Sequence, residues 1–389
     1  MNAKLKLAGS ALTVGAATLR DRVSPPTPRT ASDIPANGVS LNREWLTAVL
    51  CADVPGAEVT SWTSPGGSSG TSERAALRVE YNAAGQAAGL PTILYTKSTS
   101  SFSQRLLLGG ADVLHGETHF YMDYRPDLKM EAPSGYWGGA DRRTGRSLVI
   151  MDDIAVSKGA RFIDATEPLT RAQVEDVLAN MAVYHGAWWD SPALAKLKTA
   201  NDHFHNVADM IDMGGRCAVG MTRSEDVHPP ELLGQAARLW EGTEKSLQLL
   251  TDATPTLLHG DSHVGQMYVT DDGRMGITDW QATLRGSWTY DFAYFVSSAC
   301  EPEDRRAWED DLLKDYLEKL EAAGGQAPTF EEAKLAYRRS LFYPYSAWAF
   351  TIGRAWYQPQ MQTVPVCRAI LHRMSHAIHE NDSFEALGI

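Results

Sequence analysis

The chain has 389 residues, of which 43% are hydrophobic and 22% charged, an ordinary globular composition that excludes a disordered or fibrous character for its bulk. A formal net charge of -12 excludes a general affinity for nucleic acid, which demands a basic, counterion-releasing surface. The four cysteines, Cys51, Cys217, Cys300 and Cys367, are scattered without a CxxC pair, which excludes a disulfide framework and predicts reduced thiols in a cytoplasmic protein.

The first residues, MNAKLKLAGSALTVGAATLRDR, have the outline of a signal peptide. Gly, Ser and Thr interrupt the apolar stretch, so a helix or frayed arm is the plainer reading. Residues 23–40 are rich in Pro, Ser, Thr and Asn and read as a linker, which makes 1–40 an arm or linker before a globular part that begins near Leu41. LNREWLTAVL carries a helical stripe of Trp45, Leu46, Val49 and Leu50. Strands follow in EVTSWTS, TSERAALRVEY and LPTILYTKS, with a turn, PGGSSG, between the first two. SFSQRLLLG and LHGETHFYMDYRP read as helical or mixed, and SLVIMDDI as a short apolar strand ending in two carboxylates. From Ile154 the pattern is mainly helical. Thr170 is an N-cap for a helix with Val174, Leu178, Met181, Ala182 and His185 near one face. Longer helical patterns cover 231–250, 305–322 and 330–357, interrupted only by strand-like TLLHGD, MYV and MGITDW. No segment has an apolar run long enough to span a bilayer. The expected class is α+β, with a β-rich part over 41–153 and a mainly helical part over 154–389.

Phosphoryl transfer from a nucleotide needs a base for the acceptor hydroxyl, oxygen ligands for a divalent metal, an ammonium for the phosphates and a loop to cover them. Asp261 in HGDSHVGQ, with Gln266 five residues on, has the spacing of a kinase catalytic loop. Asp279 follows a short apolar strand, where a carboxylate suits magnesium. Lys97 closes the third strand, Glu117 is its candidate partner from a following helix, and Gly66, Gly67, Ser68, Ser69 and Gly70 form the candidate phosphate loop.

LLHGDSHVGQMYV, then GITDWQ, then YDFAYFV, resembles the aminoglycoside phosphotransferase and choline kinase group of small-molecule kinases, with DWQ similar to the ecdysteroid kinase-like branch. The resemblance implies a protein-kinase-like fold of two lobes, ATP as donor, magnesium as cofactor and a hydroxylated small molecule as acceptor. It implies Asp261 as catalytic base, Asp279 and Gln266 as metal ligands, and Lys97 with Glu117 as the phosphate-binding ion pair. It further implies Asp291 and His259 as braces of the catalytic loop, and an adenine-binding hinge near Met151 and Asp152. Gln266 stands where the family has asparagine. Its extra methylene bears on the second metal, since magnesium demands near-octahedral geometry at short distances.

Plainer readings stand beside these. His259, Asp261 and His263 form an HxDxH run of the kind found in metal-dependent hydrolases, without a second cluster to complete the ligand set. Gln266 also motivates a nucleotide-binding pseudokinase with a regulatory role. Glu131 and Asp112 rival Glu117 as the partner of Lys97. Asp152 and Asp153 read as a solvated turn and His185 as a core histidine. The rings of Phe342, Tyr343, Tyr345, Trp348, Phe350, Trp356 and Tyr357 read mostly as core, with some available to an acceptor pocket. The acceptor itself and the oligomeric state stay open.

Overall fold

The computed structural model describes every residue except 1, 2, 71, 112, 209, 210 and 359, and for residues 3–10 it describes the backbone alone. The chain divides into two compact units, one of Met1–Asp127 with Pro133–Ala160 and the other of Leu128–Ala132 with Arg161–Ile389.

The stretch expected as an arm or linker is in part helical. Helix α1 (Ala3–Val23) ends in Asp21, whose side chain is only 5% exposed and pairs with Arg105 at 2.7 Å and with Arg146. Of the helix and the frayed arm read for the first residues, the helix forms: a buried guanidinium needs an anionic partner, and α1 supplies it. Helix α2 (Arg43–Leu50) is capped by Asn42, whose side chain accepts from the Trp45 N–H at 2.9 Å. Its stripe of Trp45, Leu46, Val49 and Leu50 is buried on the sheet against Val59, Leu77, Val79, Leu94, Leu148 and Ile150. Each such side chain contributes about 1.5–3 kcal/mol when fully buried.

The sheet comprises β1 (Val59–Thr63), β2 (Gly67–Ser69), β3 (Glu73–Tyr81), β4 (Ile93–Ser98), β5 (Gly135–Asp141) and β6 (Arg146–Asp152), antiparallel in the order β1-β3-β4-β6-β5 with β2 also on β3. The turn expected over PGGSSG is shorter than its composition suggests. Gly67 pairs with Ala75 and Ser69 with Glu73, so half of the stretch is strand. A Cβ on Gly67 would lie 2.3 Å from the Arg74 carbonyl oxygen, so glycine is what lets the strands approach there. Strand β5 carries no clear sequence signal because Gly135, Gly138 and Gly139 dilute its strand propensity. Short helices α3 (Ala83–Ala87), α4 (Phe102–Gly110), α5 (Gly116–His119) and α6 (Ile154–Ser157) complete this unit.

In the second unit β7 (Arg161–Phe162) joins β9 (Met267–Val269) and β10 (Met275–Ile277), while β8 (Thr256–Leu258) pairs with β11 (Leu284–Gly286). Helix α7 (Arg171–Ala187) begins with a capping box of Thr170 and Gln173 and buries the expected face. Helices α8 (Ala200–Ala208), α9 (Met213–Arg223), α10 (Ala236–Thr251), α11 (Thr289–Ala299) and α12 (Pro302–Ala322) follow. The pattern read as one helix over 330–357 is two, α13 (Phe330–Arg339) and α14 (Phe342–Ile352). Pro344 lies in the first turn of α14, where its missing N–H is harmless; inside a continuous helix it would remove a ladder bond. Helices α15 (Val364–Glu380) and α16 (Ser383–Leu387) end the chain. Among the described residues no helix is long and apolar enough to cross a membrane. The antiparallel sheet in the first unit and the mainly helical second unit give the expected α+β class.

Candidate active site

Every residue of α11 is buried, yet the helix carries Asp291, Tyr294 and Ser298 at i, i+3 and i+7. That spacing puts three polar groups on one face, and this face holds the loop that follows β8. Asp291 accepts from the backbone N–H of His259 at 2.6 Å and of Gly260 at 3.0 Å, and from the Ser262 hydroxyl at 3.2 Å. It also accepts from the Tyr184 hydroxyl at 2.8 Å and from His185 Nε2 at 3.3 Å. Ser298 Oγ accepts from the Val264 N–H at 3.1 Å. Burial would raise the Asp291 carboxyl, but the hydrogen bonds and charges of His185 and His259 outweigh it and hold the group below the usual carboxylate value. Gly260 sits at φ +82°, and a Cβ there would meet the Ala282 carbonyl oxygen at 2.1 Å, so the Gly of HGD is a steric requirement.

Asp261 is thereby presented on a fixed backbone. Its Oδ1 accepts from the Tyr294 hydroxyl at 2.9 Å and its Oδ2 from Gln266 Nε2 at 3.1 Å, while 40% of the side chain stays open to solvent. Burial of its surroundings raises the carboxyl to about 6, the Asp279 charge adds to that rise, and His259, Tyr294 and Gln266 oppose it. A carboxylate with two donors and an open edge can still accept a proton from a hydroxyl brought to it.

Gln266 ends a tight turn, and its backbone carbonyl accepts from the Thr278 N–H at 3.0 Å. Asp279 follows at φ +61°, the left-handed region, which costs a non-glycine residue of order 1–3 kcal/mol and clusters at functional sites. The donor chemistry fits magnesium. With Nε2 of Gln266 committed to Asp261, the amide presents its carbonyl oxygen, and Asp279 brings a carboxylate; both are hard oxygen donors. The HxDxH run does not offer a zinc set. His259 Nδ1 accepts from the Asp261 N–H at 3.2 Å and its Nε2 donates to the Thr278 carbonyl at 2.8 Å, so both nitrogens are engaged. His263 Nδ1 accepts from the Gly265 N–H at 3.0 Å, and burial lowers its pKa to about 4. Among the described residues no three His, Cys, Asp or Glu side chains are grouped to hold a metal.

In the first unit Lys97 Nζ lies 3.0 Å from Glu117 Oε2 and 3.2 Å from Oε1, with both side chains at most 10% exposed. Of the rivals, Glu131 belongs to the other unit and accepts from the Tyr268 hydroxyl at 2.7 Å, and Asp112 lies outside the described residues. Gly66, Gly67, Ser68 and Ser69 border an open groove of about 390 Å³, lined also by Val39, Ser64 and by Glu73, Arg74 and Ala75 of β3. Gly70, at the tip, is exposed.

Met151 and Asp152 are the last two residues of β6. Met151 pairs with Tyr95 on one side and Gly135 on the other, and the Asp152 N–H donates to the Ser134 carbonyl. Both residues lie inside the ladder, because β6 runs through them between β4 and β5. Neither acidic residue is a solvated turn. Asp152 accepts from the Tyr136 hydroxyl at 2.6 Å and the Ser134 N–H at 2.8 Å, and Asp153 pairs with Arg78 at 2.7 Å.

His185 is fully buried between Asp291 and the Tyr316 hydroxyl, 2.7 Å from Nδ1, a core histidine as read. The late rings divide: Phe342, Tyr345 and Trp348 are buried, Trp356 and Tyr357 exposed. Sequence reasoning missed Tyr294 and Ser298, although polar residues at helical spacing in an apolar helix are the signal for them. It also missed Tyr184 and Gln104.

The chain is similar to solved structures at low identity. A microcompartment-associated aminopropanol kinase is 13% identical over 83% of this chain and 92% of its own, with a TM-score of 0.45. A spectinomycin phosphotransferase in complex with ADP and spectinomycin is 11% identical over 88% and 99%, TM-score 0.45. A choline kinase from Streptococcus pneumoniae is 10% identical over 86% and 96%, TM-score 0.43. No curated protein matches the chain. The model of the phosphotransferase enzyme family matches residues 111–334, more than half of the chain, and the chain belongs to that family.

Proposed function

We propose that this protein is an ATP-dependent kinase that works with magnesium and transfers phosphate to a hydroxyl of a small molecule. The observation that carries the reading is Asp261: a solvent-open carboxylate held by Tyr294 and Gln266 on a backbone fixed through Asp291. In the proposed reaction the acceptor oxygen attacks the γ-phosphorus as the bond to the ADP oxygen breaks, and Asp261 takes up the hydroxyl proton. Lys97, kept in place by Glu117, holds phosphate oxygens, and the Gly66–Gly70 hairpin offers backbone N–H groups to them. Magnesium, held through Gln266 and Asp279, would supply neutralising charge to the phosphates. Catalysis of this kind is positioning and electrostatics. The four cysteines are free and buried, which favours the cytoplasm as its site of action.

The pseudokinase alternative takes its motive from Gln266. The bond from Gln266 Nε2 to Asp261 keeps the amide function that this alternative needs lost, which favours an active enzyme. The test is ADP release by purified protein with magnesium against a panel of hydroxylated metabolites and antibiotics, with Asp261→Asn as control. Acceptor-dependent release that the variant loses supports the kinase. Nucleotide binding without transfer to any acceptor supports the pseudokinase, and an Asp261→Asn protein that keeps most of the rate sinks the assignment of the base.

A further inference from the structure

The glycine-rich hairpin has little of its own to hold it. Gly66 to Gly70 are all exposed, and glycine and serine bring no apolar anchor, so beyond its ladder with β3 the tip depends on what grips it. One side chain does so. Gln104, 5% exposed in the first turn of α4, donates from Nε2 to the Gly70 carbonyl at 2.9 Å and to Ser69 Oγ at 3.3 Å. Its Oε1 accepts from the backbone N–H groups of Ser100 at 3.1 Å and Ser101 at 3.2 Å. A single amide thus caps the helix that follows Lys97 with one end and holds the hairpin with the other.

The next residue fixes the helix itself. Arg105 is fully buried, pairs with Asp21 of α1 at 2.7 Å, and donates to the carbonyls of Ala36 at 3.0 Å and Thr99 at 3.3 Å. Asp21 also pairs with Arg146 at the start of β6. The N-terminal segment, which lies outside the family match, is therefore tied through Arg105 to the turn that carries Gln104.

We infer that Gln104 is a positioning residue for the glycine-rich hairpin, and that α1 keeps it in register through the Asp21–Arg105 pair. The consequence for nucleotide rests on the proposed kinase function. Fixing a backbone residue costs roughly 1–2 kcal/mol of entropy; with the tip ordered beforehand, that cost falls on folding and not on phosphate binding. The clamp therefore acts on nucleotide KM and leaves kcat alone.

Gln104→Glu separates the two ends of the amide. A carboxylate still accepts from Ser100 and Ser101, so the capping box survives, but the donor to Gly70 is gone and a negative charge faces its carbonyl. In the full-length protein, hydrogen exchange at the amides of Gly66 to Gly70 and the KM for ATP should both rise roughly three- to tenfold, the worth of one or two net hydrogen bonds. The melting temperature should fall modestly, because a buried carboxylate faces a carbonyl, while kcat should stay at the wild-type value. Asp21→Asn should loosen the same amides through Arg105. A Gln104→Glu protein whose hairpin exchange and KM match wild type overturns the inference and leaves Gln104 as a helix cap only. If the wild type binds no nucleotide, faster exchange in the variant still upholds the clamp, while the kinase reading falls.

Discussion

The loop of residues 259–266 and the hairpin of residues 66–70 are both short, glycine-bearing and polar, yet they are held by opposite means. The loop is bound to a buried carboxylate, Asp291, that accepts two backbone N–H groups and three side chains, and charged acceptors make the stronger hydrogen bonds. The hairpin is exposed and gripped by one neutral amide. The difference follows from the proposed tasks. A reacting carboxylate displaced by an ångström loses much of its rate, whereas a hairpin that offers backbone N–H groups to phosphates tolerates a weaker hold.

Substitutions on the two sides should separate these roles, beginning with the largest effect. Asp261→Asn should lower kcat by about 10²–10⁴-fold with the circular dichroism spectrum unchanged, as measured by ADP release. Lys97→Met should lower kcat/KM for ATP by about a hundredfold. A loss confined to stability would mean that the Lys97–Glu117 pair is architectural. Asp21→Asn should destabilise the protein by about 3 kcal/mol, since it leaves Arg105 a buried charge with only carbonyl acceptors, as read in chemical denaturation. Gln266→Asn should change kcat by no more than about fivefold and move the magnesium dependence, because it retains the amide and shortens its reach. A collapse of activity in this variant would show that the longer arm sets the geometry of the site.

Acid offers a further comparison. Both Asp291 and Asp21 are held below the ordinary aspartate value of 3.8 against the upward pull of burial, Asp291 by His185 and His259, and Asp21 by Arg146 and Arg105. A depressed folded pKa gives stability that is complete above the unfolded value and is lost as pH falls through the folded one. The contribution of these two groups should therefore be complete above about pH 4, near the ordinary aspartate value, and be lost below it. Asp21→Asn should remove part of that loss, read as the difference between the wild-type and variant melting curves, in which the titrations of His263 and Asp261 cancel. A difference that does not change below about pH 4 would contradict the depressed Asp21 value.

What could be read from sequence follows periodicity and local chemistry. The stripe of α2, the Thr170 cap, the strand that ends in Lys97 and the spacing of Asp261 and Gln266 depend on residues within a turn or two of one another, and the structure forms each of them. The strand leading to the hinge reading ends at Asp152 as its apolar run suggests, but its pairing with β5 was not legible, because glycine dilutes β5. The helix expected over 330–357 was divided by a proline whose effect depends on the turn in which it falls.

The sequence by itself determined the α+β class and the residue types suited to phosphoryl transfer, because patterning and motif spacing are local properties of the chain. Only the tertiary structure decided that Glu117 meets Lys97, that Asp291, Tyr294 and Ser298 jointly hold the Asp261 loop, and that an N-terminal helix anchors the turn bearing Gln104. Each of these is a hydrogen bond or ion pair between groups 20 or more residues apart in sequence. Such a bond depends on burial and approach, which no local pattern encodes.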